Sequence, residues 1–281
     1  MTEIRPFRAW RYNRELLRRP DELVAPLFDV VTPQQREDLY ALPLNSIHLS
    51  VPAGGEDAQD ILEHWKSSGI LKRDDLPAIF PYSQHYSDPL TGESKCRLGF
   101  ICHIRTRHWD DRVILHHENT IPSTVNDRSA LLLKTGFHSS PTHGLYEDDS
   151  RMLEPWIEEA LESPLLSMTD RLGVQHTIGI IHDHDRIQEF MDFMKNRRVI
   201  LADGHHRYEA SINYSAAKGT LHHPEATARP EDMHLMCLTN TSGNDLTVLP
   251  THRLVSGIAG FDADRFMREL NEDFELTIEN P

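Results

Sequence analysis

Val199-Ile200-Leu201-Ala202-Asp203-Gly204-His205-His206-Arg207 is the stretch that decides how this chain is read. Four apolar residues in a row predict a central, buried strand. Asp203-Gly204 then turns the chain into a helix over residues 205–218, closed by Gly219. A helix that starts so soon after a strand presents unpaired backbone N–H groups and a partial positive charge, which suit an anion. Gly204 removes the side chain that would obstruct close approach. Arg207 falls in the first turn, where a guanidinium can fork two phosphate oxygens. Asp203 suits either Mg2+ coordination or acceptance of a hydroxyl proton. The competing reading makes Asp203 a helix cap and Arg207 a solvated surface residue. A polar run at the end of the chain's most apolar strand favours the ligand site.

Outward from this turn the pattern is mixed α/β, with hairpins early and a strand–helix rhythm late. Residues 6–12 alternate like a strand, and Thr32-Pro33 reads as a cap and first-turn proline opening a helix over residues 34–39. Residues 46–51 predict a short strand, and residues 57–66 an amphipathic helix with Ile61, Leu62 and Trp65 on one side. Residues 78–86 and 97–104 flank a longer loop at 88–93, as in a hairpin. A strand at 113–115 leads into His116-His117-Glu118-Asn119-Thr120. The helix expected at 127–135 points Leu131, Leu132 and Leu133 inward. Further helices are expected at 152–161, 186–195 and 261–270, and further strands at 177–181, 233–239 and 246–249. Trp65 and Tyr208 are read as packing residues, and His182-Asp183-His184-Asp185 as a solvated turn.

The chain has 281 residues and a formal net charge of -15, which disfavours nucleic acid or an anionic membrane as partner. Phosphate binding then requires a local pocket. Three cysteines without paired spacing argue against a disulfide framework. The polar N-terminus does not read as a signal peptide, and no apolar run approaches a membrane span, so the expected location is the cytoplasm. Histidine is abundant, at 18 residues. No pair carries the spacing that sets ligands on one helical face, so no structural zinc is expected.

Several ordered signatures resemble the domain of unknown function 1015 family. They are Pro6-Phe7-Arg8-Ala9-Trp10-Arg11-Tyr12, Ala25-Pro26 with Phe28-Asp29-Val30, Asn45-Ser46-Ile47-His48-Leu49, and His117-Glu118-x-Thr120. Ser140-Pro141 with Leu145-Tyr146, residues 202–209, and Leu249-Pro250-Thr251-His252-Arg253 complete the set. Asp203-Gly204-His205-His206-Arg207-Tyr208-Glu209-Ala210 also resembles the helix-start motif of the ParB/sulfiredoxin superfamily, which holds nucleotide phosphates. The resemblance implies a ParB/sulfiredoxin-like core with an early hairpin region, in a single α/β domain over residues 1–255. Members run on past the last residue here, so residues 256–281 read as the start of a C-terminal region that is cut short.

Similarity to ParB-like free serine kinases makes Asp203 the expected catalytic residue, with Glu118 as its partner and Asp29 behind it. Gly204, His205, His206, Arg207, Arg128, Ser140, His252 and Arg253 are the expected phosphate and nucleotide ligands. The expected activity is a nucleotide-dependent phosphotransferase acting on a small hydroxylated metabolite, with serine foremost. It would use ADP or ATP with Mg2+, held through Asp203 if by the protein at all. A nucleotide-gated binding module without turnover is the alternative. A metal-dependent hydrolase rests on the histidine clusters alone. Self-association is left open.

Overall fold

The computed structural model describes residues 1–219, 227–243, 246–249 and 256–277. The chain divides into two units, Met1–Leu246 and Thr247–Pro281. Among its described residues the smaller unit carries one helix, Ala263–Asp273, capped by Asp262, whose side chain accepts from Arg265 N at 2.9 Å. No helix among the described residues is long and apolar enough to cross a membrane.

The larger unit is mixed α/β, as expected. Its strands, in chain order, are β1 (Ile4–Arg5), β2 (Trp10–Tyr12), β3 (Leu71–Arg73), β4 (Phe80–Ser87), β5 (Ser94–Arg105) and β6 (Ile114–Leu115). They continue with β7 (Thr142–Tyr146), β8 (Leu166–Thr169), β9 (Gln175–Ile178), β10 (Val199–Asp203) and β11 (Met233–Asn240). Its helices are α1 (Pro33–Tyr40), α2 (Ile47–Ser50), α3 (Ala58–Ser67), α4 (Pro122–Thr135), α5 (Glu154–Glu162), α6 (His184–Met194) and α7 (His205–Ala217). One sheet runs β6-β10-β7-β11-β5-β4-β9-β8, with β1 on β5, and β2 pairs separately with β3. The β4–β5 hairpin forms where the alternation placed it, with Ser87 opposite Ser94 across the loop. Helix α1 opens on the expected cap. Thr32 accepts from Gln35 N, Gln35 returns a bond to Thr32 N, and Pro33 takes the first position, where a missing N–H costs nothing.

The main core joins sheet residues such as Phe100, Ile104, Val199, Leu201 and Leu238 to Ile157 of α5, Phe190 of α6 and Tyr208 of α7. Trp65 and Tyr208 are buried packing residues, as read from their spacing.

Several expectations need correction. Residues 46–51 form helix α2 rather than a strand, because the Asn45 side chain accepts from Ile47 N at 3.0 Å and donates to Glu22 O and Val24 O. Those bonds give the backbone a turn that outcompetes the strand pattern. Of the strand expected over residues 6–12 only Trp10–Tyr12 forms, as β2; Phe7 makes an isolated bridge to Ala78, and Pro6 supplies no N–H to a ladder. Strand β10 is one in from the sheet edge, and Ile200 is 45% exposed, so its apolar run does not mark a central strand. It runs parallel to β6 but antiparallel to β7. On α4 only Leu132 of the three leucines is buried, and Leu133 faces solvent. Residues 246–249 form no strand.

Candidate functional site

Strand β10 ends at Asp203, and Gly204 takes a left-handed conformation (φ +90°) as the residue before α7. A Cβ there would lie 2.6 Å from Thr142 Cγ2 and 2.9 Å from Arg207 Nη2. Both the turn and the packing therefore require glycine. No side chain caps α7, so its first-turn N–H groups are left to other partners.

Arg207 turns back under this helix start. Its Nη1 donates to Ser140 Oγ (3.0 Å) and Pro141 O (2.7 Å), and its Nη2 to Asp203 Oδ2 (2.7 Å). Burial and the neighbouring Arg128 push its pKa down, while Asp203 and Asp29 hold it up. Arg128 comes from α4, donating to Ser50 O at 2.6 Å and to Asp127 Oδ2 at 2.8 Å, with its guanidinium 4.4 Å from the Phe28 ring centre.

The two arginines line one cavity of about 80 Å³. By the same measure a single water needs about 10–15 Å³, so the space suits a phosphoryl-sized group. Ser46, Ser50, Ser139 and Ser140 supply hydroxyls, and no carboxylate is among its described lining residues. Two of its polar atoms, Arg207 Nε and Ser50 Oγ, are buried without a hydrogen-bond partner among the described residues. Such orphans are uncommon and call for an explanation. A second cavity of about 690 Å³ shares Ser46, Leu132, Phe137, His138 and Ser139 with the first. Phe7, Trp10, Tyr12 and Phe80 are among its aromatic walls. Its size is that of a small-molecule pocket.

The structure thus brings Arg128, Ser140, Gly204 and Arg207 together. Asp203 stands beside them, with a side chain about half exposed. Glu118, His205 and His206 belong to the other flank of the turn. There the loop after β6 docks on α7: His206 Nε2 accepts from Ile121 N (3.0 Å), and Thr120 Oγ1 donates to Glu209 Oε2 (2.5 Å). Glu118 Oε1 lies 3.0 Å from His205 Nδ1 but off hydrogen-bond alignment, so neither ring nitrogen of buried His205 has a hydrogen-bond partner among the described residues. Burial lowers the His205 pKa against the opposing pull of Glu118. His252 and Arg253 lie outside the described residues. The sequence reading missed Ser46 and Ser50 as cavity residues, because it placed them on a strand. The Asn45-Ser46 pair, a common helix-start combination, was the available signal.

The profile of the family described as "protein of unknown function (DUF1015)" matches residues 4–281. The chain belongs to that family. No curated protein and no solved structure matches it. The DUF1015 profile spans the Asp203–Arg207 turn, the His117–Thr120 loop and both cavities.

His182 and His184 stand at the exposed start of α6, where Asp183 caps the helix by accepting from Arg186 N at 2.9 Å. The buried His234 is held by Thr142 Oγ1 (2.8 Å) and Ser211 Oγ (2.7 Å), which ties β7, β11 and α7 together beneath the turn.

Proposed function

We propose that this protein is a nucleotide-dependent phosphotransferase acting on a small hydroxylated metabolite, with a free hydroxy amino acid such as serine as acceptor. The observation that supports it most is the cavity, without a carboxylate among its described lining residues, in which Arg128 and Arg207 converge while Arg207 Nε and Ser50 Oγ lack partners among the described residues. Each guanidinium already has one carboxylate partner, Asp203 for Arg207 and Asp127 for Arg128, and a phosphoryl group in the cavity would add a second counter-charge to both and satisfy the orphaned donors. The adjoining larger cavity offers apolar and aromatic walls for the rest of a nucleotide. The resemblance of residues 203–210 to the ParB-like helix-start motif points the same way.

In this reading, Mg2+ enters with ADP or ATP as part of the substrate. The acceptor hydroxyl oxygen attacks the terminal phosphorus, the bond to the leaving nucleotide oxygen breaks, and the hydroxyl proton passes to the Asp203 carboxylate. Arg207, held rigid by Ser140, Pro141 and Asp203, keeps its charge against the transferring group. The test is incubation of the protein with ATP or ADP, Mg2+ and a panel of hydroxy amino acids, with products followed by phosphorus NMR. A phosphorylated amino acid is expected, and it should be lost in Asp203→Asn. Nucleotide binding without any phosphorylated product would replace this reading with that of a nucleotide-gated binding module.

A further inference from the structure

We propose that His117, Glu118 and His205 form a binding site for a divalent first-row transition-metal ion, independently of any phosphotransferase activity. Strand β10 runs parallel to β6, with Ile200 opposite Leu115, so both strands end at the same side of the sheet. That register sets the loop residues His117 and Glu118 beside the first residue of α7, His205. One donor atom from each of the three lies within 4.8 Å of the others.

His205 supplies the decisive observation. It is 1% exposed, yet both ring nitrogens lack a hydrogen-bond partner among the described residues. A buried imidazole is ordinarily satisfied on at least one nitrogen. Glu118 Oε1 lies 3.0 Å from Nδ1 yet makes no hydrogen bond to it. Two ligand atoms each about 2.0–2.2 Å from one metal ion stand roughly 3 to 3.5 Å apart, close to the spacing of these two atoms. The His117 ring centre is 4.6 Å from that of His205. His117 and Glu118 are exposed, so side-chain rotation alone can close the set.

Two imidazoles and one carboxylate are the donor chemistry of zinc, iron, cobalt or manganese rather than of calcium or magnesium. Three protein donors, two of them on exposed residues, leave coordination positions for water, as in open metal sites. Short-motif spacing could not reveal this set, because its third member lies 88 positions from His117 in sequence.

The test uses the full chain after chelator treatment, titrated with Co2+. Visible absorption reports the ligand field, and equilibrium dialysis reports stoichiometry. The expected result is one Co2+ per chain in the wild type and in His182→Ala, an exposed histidine elsewhere. His117→Ala and Glu118→Gln change exposed residues that the fold does not need, and each should weaken binding by roughly tenfold or more. His205→Ala should abolish binding, with circular dichroism checking its fold. A wild type that takes up no Co2+, or folded His117→Ala and Glu118→Gln proteins that bind it as the wild type does, would overturn the proposal.

Discussion

Arg207 concentrates the chemistry at the scale of single residues. Its guanidinium is anchored on Ser140, Pro141 and Asp203, but its Nε, like the Ser50 hydroxyl of the same cavity, lacks a partner among the described residues. Ser50→Ala removes an orphaned polar atom from a buried position, so stability should stay within about 0.5 kcal/mol of wild type by chemical denaturation. The same variant should bind nucleotide more weakly by calorimetry. Gly204→Ala has no such tolerance. It forces a Cβ into Thr142 and into a left-handed backbone, and should cost about 1 kcal/mol or more in urea unfolding. An unchanged midpoint in Gly204→Ala would show that the turn relaxes in a way the geometry does not suggest.

Elements set how much of this could be read in advance. The capped start of α1, the β4–β5 hairpin and α7 behind its glycine follow from local patterns, because caps, alternation and left-handed turns are local in origin. Helix α2 was misread because Ile47 to Leu49 alternate like a strand, while the decisive Asn45 bonds reach back to Glu22 and Val24. The polar lining contributed by Ser46 and Ser50 was lost with it. Arg128 and Arg207 were legible as candidate anion ligands, but their convergence depends on how α4 packs on α7. The docking of the loop after β6 on α7 is likewise tertiary, resting on Thr120–Glu209 and Ile121–His206. Thr120→Val should loosen that loop. Faster amide hydrogen exchange at residues 116–121, with exchange in α6 unchanged, is the expected result.

The whole molecule carries an acid sensitivity built from its interior. Burial lowers the pKa of His103, His138 and His143 to about 4 and holds that of His234 well below its ordinary value. Between about pH 6.5 and 4 the unfolded chain therefore binds protons that the folded chain refuses. Stability is full above about pH 6.5 and falls as pH drops, with a slope of about 1.4 kcal/mol per pH unit for each such histidine. His143→Gln should flatten that slope by roughly one histidine's share in denaturation followed from pH 7 to 5. The net charge of -15 makes the arginine-lined cavity a local exception to the protein's overall field, so added salt should weaken nucleotide binding modestly.

The central claim, that Arg128 and Arg207 hold a nucleotide's phosphate, is tested most directly by isothermal titration of the wild type, Arg128→Ala and Arg207→Ala with Mg2+-ATP and Mg2+-ADP. Circular dichroism would confirm that each variant is folded. The account predicts saturable binding of at least one nucleotide to the wild type and a loss of roughly tenfold or more in affinity in each variant. A folded Arg207→Ala protein that binds nucleotide as tightly as the wild type would contradict it.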